Sequence, residues 1–158
     1  MRVLGIDPGL GVCGYAVMEA VNGSGEELVE AGTVASDEKL AIEKRLDQIA
    51  KDFEALLEKF EPDVVAIEQL YSHYAHPRTA ILMGHARGVI LQKCAAVGIE
   101  VRSYSATRIK KSLTGNGRAS KEQMQKTVQV VLSLKEIPQP ADVADAMAAA
   151  MCCMNSNR

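Results

Sequence analysis

Hydrophobic residues recur with two different periods along this chain, and each change of period predicts a new element. Val3, Leu4 and Ile6 make a short apolar run over residues 3–7 that reads as a buried strand, closed by Asp7 and turned at once by Pro8-Gly9. A turn rich in glycine (Gly9, Gly11, Gly14) leads to a second strand over 14–19. Asn22-Gly23-Ser24-Gly25 is a loop or hairpin turn before a third strand over 28–34, so the first three strands predict an antiparallel meander. From Asp37 the spacing becomes helical. Leu40, Ile42, Leu46, Ile49, Ala50, Phe53, Leu56, Leu57 and Phe60 share a face, with Ser36 or Asp37 as N-cap and Pro62 as the stop. The run VVAIE (64–68) is again a strand and, following a helix, is expected to lie parallel to the first.

An irregular loop over 71–78 (YSHYAHPR) precedes a helix over 79–97, in which Gly84 and Gly88 share a face and allow close packing. A strand over 99–103, a short helix over 106–113 and the loop 114–117 follow. The next helix starts near Ser120, where Ser120 and Gln123 form a capping-box pattern. The last helix runs from Ala141 to about residue 154. This order predicts an α/β fold: a mixed five-stranded sheet, antiparallel meander plus parallel strands, flanked by helices on both faces.

The 158 residues predict a single domain with one sizeable core. The 47% hydrophobic content with ordinary charge excludes a disordered chain. No apolar run is long enough to cross a membrane, and the N-terminus lacks the regions of a signal peptide. Cys13, Cys94, Cys152 and Cys153 have no metal-site spacing and read as small buried hydrophobes in a reducing cytoplasm. The net charge of −2 hides a segregation. Between Arg102 and Lys126 there are seven basic residues and one acid, Glu122, a net +6 that leaves −8 for the rest. Such a window reads as a basic face, or as a solvated helix surface.

Two of the apolar strands end in a carboxylate, Asp7 and Glu68. Parallel strands joined by helical crossovers end at the same sheet edge, which would bring the two together. The last helix is apolar nearly all round, from Val143 to Met154, yet carries Asp142 and Asp145 three residues apart on one face. Asp7 taken alone reads equally as an acid capping its own turn, and Asp142 as a first-turn acid complementing the helix dipole. Asp145, between Ala144 and Ala146, is harder to account for in that way. Four acids meeting at one spot would repel unless cations filled it. Oxygen-only ligands select Mg²⁺ or Mn²⁺, and paired ions suit in-line phosphodiester hydrolysis.

The sequence DPG at the first strand end, AIEQLY after the next parallel strand and ADVADA opening the last helix resembles the RuvC-type Holliday junction resolvases. These are bacterial endonucleases of the ribonuclease H-like superfamily. The likeness extends to GHARGVI and RIKKSLTGNGRASKEQ and covers essentially the whole chain, implying one ribonuclease H-like nuclease domain over 1–158. It implies that Asp7, Glu68, Asp142 and Asp145 hold metal and act in catalysis, with Asp7 bridging two Mg²⁺ ions that Mn²⁺ can replace. Some relatives carry His at the first acid of the last helix, so Asp142 is the more replaceable. Lys110 and Lys121 match the family's two basic positions near the DNA backbone, Lys121 stabilising charge on the scissile phosphate. Tyr71 falls where the family has an aromatic that stacks on bases at the opened crossover; ordinary loop packing is the alternative.

Within the basic window Arg108, Lys110, Lys111, Arg118 and Lys121 fit contacts to DNA phosphates. The resemblance further implies a C2 homodimer acting on four-way junction DNA by paired nicks that leave 5′-phosphate and 3′-hydroxyl ends. It also implies work alongside the RuvA–RuvB branch-migration machinery, and a dimer surface on the helix over 79–97. Two rivals remain on the residues alone. One is an actin-like nucleotide phosphatase, which needs two such domains where this chain has room for one. The other is a non-catalytic junction-binding scaffold, against which the retention of all four acids speaks.

Overall fold

The computed structural model of the chain describes residues 1–21, 25–70 and 77–156. Its elements run β1 (Arg2–Asp7), β2 (Val12–Val21), β3 (Gly25–Ala35), α1 (Ile42–Phe60), β4 (Val64–Glu68), α2 (Pro77–Val97), β5 (Glu100–Tyr104), α3 (Ala106–Thr114), α4 (Lys121–Val131) and α5 (Ala141–Asn155). The strands form one sheet in the order β3-β2-β1-β4-β5. β1, β2 and β3 pair antiparallel, whereas β4 is parallel to both β1 and β5. This is the mixed sheet that the change of period predicts.

Alternation along the strands sorts the side chains into two cores. Leu4, Ile6, Val17, Val65 and Ile67 face α1 and α2, where they meet Ile49, Phe53, Leu57, Ala86, Ile90 and Cys94. Val3, Ala16, Met18, Val64 and Ala66 face the other way, against α5 and parts of α3 and α4. Helices therefore cover both faces. The same period places Asp7 two residues beyond Gly5 and four beyond Val3, and Glu68 two beyond Ala66, so both acids belong to the face that α5 covers. All four cysteines are free and buried. Among the described residues no helix is long and apolar enough to cross a membrane.

Four boundaries differ from the sequence expectation. α1 begins at Ile42 with Ala41 as its N-cap, because Ser36 and Asp37 are engaged elsewhere. The Ser36 hydroxyl donates to the Leu10 carbonyl and accepts from Arg45 Nε, while Asp37 accepts the Lys39 amide in a local turn. Leu40 and Ile42 are consequently exposed. β2 and β3 are longer than expected, because twenty-odd residues of hairpin pair almost end to end. Pro77 and Arg78 open α2 rather than close the preceding loop, which suits proline at a first helical position. Among the described residues little packs on the face of Gly84 and Gly88: a Cβ on Gly88 would meet none of them within 4 Å, and one on Gly84 would meet only Leu70 Cδ1 at 3.9 Å. The remaining helices match. α3 carries Ser105 as N-cap, and α4 is opened by the Ser120–Gln123 capping box.

Candidate active site

Asp7 and Glu68 end β1 and β4, adjacent parallel strands in register from Val3↔Val64 to Ile6↔Ile67. Their carboxylates therefore leave the sheet at one edge. The third element of the site, α5, lies directly on β1 and β2, and two glycines permit it. A Cβ on Gly5 would come within 2.1 Å of the Ala146 carbonyl oxygen, and one on Gly14 within 2.0 Å of the Asp142 carbonyl oxygen. Gly14, expected at the junction of the glycine-rich turn and the second strand, lies inside β2 opposite Asp7 and serves as the seat of the helix. An isolated glycine inside a strand signals such a close backbone approach, and that signal was available in the sequence.

Seated there, α5 delivers Asp142 and Asp145 to the strand ends. Burial and the fields of Asp145, Glu68 and Asp142 push the Asp7 carboxyl up to about 8, against the opposing charge of Lys121. Burial and Asp145 also raise Glu68, with Lys110 and Lys121 pulling it down. Asp145 is raised chiefly by burial and further by Asp142, while Lys121 works the other way through an ion pair of 3.6 Å. The four acids thus act on one another through space, as they can only when gathered at one edge.

Lys121 is the first residue of α4, so the Ser120 cap that fixes the helix start also fixes where this ammonium begins. Lys110, on α3, converges from the other side. Together Glu68, Lys110, Lys121 and Asp145 line a cavity of about 140 Å³ whose floor is Ala106, Ile109 and Met124. A larger cavity, about 390 Å³, lies between the ends of α1 and α2; its charged lining residues are Glu54, Glu58, Glu61 and Lys93, and Lys93 is paired with Glu54 at 2.9 Å.

The other basic residues are placed differently. Arg108 lies over the Tyr104 ring, 5.0 Å from its centroid, and donates to Ser156 Oγ at 3.2 Å, which ties it to the end of α5. With Lys111, Ser105, Thr107 and Ser112 it borders a shallow depression beside α3. Arg118 is exposed in the loop between α3 and α4, where its amide donates to Asn116 Oδ1. Tyr71 lies outside the described residues.

Among the described residues no group of three or more His, Cys, Asp or Glu side chains is already arranged to hold a metal ion. The donor set nonetheless suits a hard divalent cation: carboxylate oxygens only, two of them on strand ends and two on a buried helix, with carboxyls at Asp7, Glu68 and Asp145 held above their ordinary range. A cation among them would reverse the repulsion that raises them.

Residues 3–153 match the family model described as crossover junction endodeoxyribonuclease RuvC. A crossover junction endodeoxyribonuclease RuvC from Rhodopirellula baltica is 49% identical over 150 residues, covering 95% of this chain and 84% of its own. The Thermus thermophilus RuvC structure superimposes with a TM-score of 0.90 at 31% identity over 100% of this chain and 96% of that one. The T. thermophilus RuvC in complex with Holliday junction substrate gives 0.92 at 30% identity, over 100% and 95%.

Proposed function

Because the chain belongs to the RuvC family of crossover junction endodeoxyribonucleases, we propose that it is a structure-selective nuclease that resolves four-way DNA junctions, with its chemistry at the edge where Asp7, Glu68, Asp142 and Asp145 gather. The fold is the ribonuclease H-like one, and divalent-metal dependence goes with nucleases of this type. The observation that carries the assignment to these residues is the seating of α5 on Gly5 and Gly14, which supports a meeting of the two acids of the last helix with strand-end acids far earlier in the chain, Asp7 and Glu68.

In this reading the ions are Mg²⁺, two per site and replaceable by Mn²⁺, held by the four acids. Bound there, the pair supplies an activated water and stabilises the leaving oxygen of a phosphodiester, giving 5′-phosphate and 3′-hydroxyl ends. Asp7, the most strongly raised of the acids, is central to holding them. Lys121 adds a positive charge beside Asp145 at the position of the scissile phosphate, and Lys110 does so from α3. Lys111, Arg118 and Arg108 contact phosphates farther along the backbone, and Tyr71 stacks on bases at the crossover. The whole chain acts as one nuclease domain.

A C2 homodimer matches the near two-fold symmetry of the junction and its need for paired nicks. The exposure of Ile81, 62%, and the lack of any described residue within 4 Å of a Cβ on Gly88 support α2 as the dimer surface. A cytoplasmic protein working beside RuvA–RuvB completes the proposal. The test is nicking of synthetic four-way junctions with and without Mg²⁺, with Asp7→Asn alongside. The variant is expected to bind junctions and leave them uncut. Loss of binding instead would make Asp7 a structural residue, and metal-independent nicking would remove the four acids from the chemistry.

A further inference from the structure

Glu68 is the last residue of β4, and the pairing of β4 with β1 stops one residue earlier, at Ile6↔Ile67. On the other side Glu68 lies beside Tyr104, and the Gln69 amide donates to the Tyr104 carbonyl at 2.9 Å. A single side chain ties these strand ends to the helix above them. Arg87, half-buried on α2, donates from Nε to the Glu68 main-chain carbonyl at 3.3 Å and from Nη2 to Ser103 Oγ at 2.9 Å. One rigid guanidinium thus spans β4 and β5 at the level where Glu68 turns toward the acids. The charges that move the Glu68 carboxyl are Asp145, Lys110 and Lys121. Arg87 reaches Glu68 through the backbone.

We propose that Arg87 is a positioning residue: by clamping the Glu68 carbonyl to Ser103 it fixes the direction in which the Glu68 carboxylate enters the site. This rests on the reading of Glu68 as a metal ligand. The planar fork matters, because two donors held in one plane address acceptors on two strands. Lysine offers a flexible point charge and cannot reproduce that. Groups that orient a ligand in this way typically change metal affinity or activity about 10–100-fold when removed.

The experiment compares the full-length chain with Arg87→Ala, Arg87→Lys, Ser103→Ala and the Arg87→Ala/Ser103→Ala double variant. Mn²⁺ affinity is read by calorimetry, single-turnover nicking on a four-way junction in Mg²⁺, junction binding in Ca²⁺, and folding by thermal melts. Arg87→Ala is expected to weaken Mn²⁺ binding and slow nicking about 10–100-fold with junction binding unchanged. Arg87→Lys should move the same way, and Ser103→Ala less. Adding Ser103→Ala to Arg87→Ala should cost nothing further, since both act through one clamp. Full Mn²⁺ affinity in Arg87→Ala, additive losses in the double variant, or junction binding falling in step with rate would each overturn the proposal. Should Arg87→Ala fail to fold, folded Arg87→Lys decides: wild-type Mn²⁺ affinity there overturns it. A wild-type chain that binds Mn²⁺ in an Arg87-dependent way yet never nicks would sink the nuclease reading and leave the clamp standing.

Discussion

A Cβ on Gly14 would stand 2.0 Å from the carbonyl oxygen of Asp142 and 3.1 Å from the amide nitrogen of Val143. The obstacle is backbone of a buried helix, which cannot swing aside as a side-chain tip would. Gly14→Ala is therefore expected to lift the start of α5 off the sheet. It should cost about 1–3 kcal/mol of stability, as overpacking generally does. Nicking should fall well beyond what the folded fraction explains, because Asp142 and Asp145 ride on the displaced turn. Urea unfolding and rate measurements on the same samples check this; a stable, fully active Gly14→Ala would mean that α5 has slack.

The raised Asp7 carboxyl fixes the sign of a pH dependence. In the metal-free chain it holds a proton at pH values where the unfolded chain has released it, so the folded state binds more protons and stability falls as pH rises. The contribution is complete below about pH 4 and is lost as pH climbs toward 8, by up to about 1.4 kcal/mol per pH unit. Glu68 and Asp145 shift in the same direction. Denaturant midpoints of metal-free protein between pH 5 and 8 should decline for wild type and flatten for Asp7→Asn. Divalent-ion affinity should rise across the same window, since binding displaces the proton. A flat wild-type profile would contradict the buried acidic cluster.

Lys121 is 71% exposed in its ion pair with Asp145, so the pair adds little to folding. Lys121→Ala should leave the melting temperature nearly unchanged, lower junction affinity slightly and reduce the single-turnover rate strongly. A rate at saturating DNA equal to wild type would remove Lys121 from the chemistry.

Arg108 and Lys111 are neighbours in the basic window but differ in what else they touch. Lys111→Ala should reduce the salt slope of junction binding by about one unit without affecting folding. Arg108→Ala should also destabilise the chain, by about 0.5–1 kcal/mol, because the guanidinium over Tyr104 and its bond to Ser156 are lost. Equal melting temperatures for the two variants would show that the Tyr104 contact adds nothing.

Much of this arrangement is legible in the sequence. Apolar runs ending in Asp7 and Glu68, together with a helix crossover between them, are enough to place two acids at one sheet edge, and the three-residue spacing of Asp142 and Asp145 is enough to put both on one helix face. What local pattern could not supply was set by distant contacts. Ser36 carries a capping signal, but the Leu10 carbonyl and Arg45 claim its hydroxyl, so the helix waits until Ile42. Gly14 looks like turn chemistry until a helix from the far end of the chain lands on it. Arg108 counts as one more positive charge in the sequence, yet it is partly committed to the end of α5. Arg87 lies in the GHARGVI segment, but nothing local marks it as a clamp, since its partners are a main-chain carbonyl and a serine on two separate strands.

The last helix has a consequence for how such a protein can change over generations. Eleven of its residues, from Val143 to Met154, are buried, ten of them in the core between α5 and the sheet, and two of the remainder are acids of the site. Mutations that retune thermal tolerance through this segment also shift the reacting groups, so heritable adaptation to heat or cold is channelled into surfaces remote from the acids, such as the solvent face of α1.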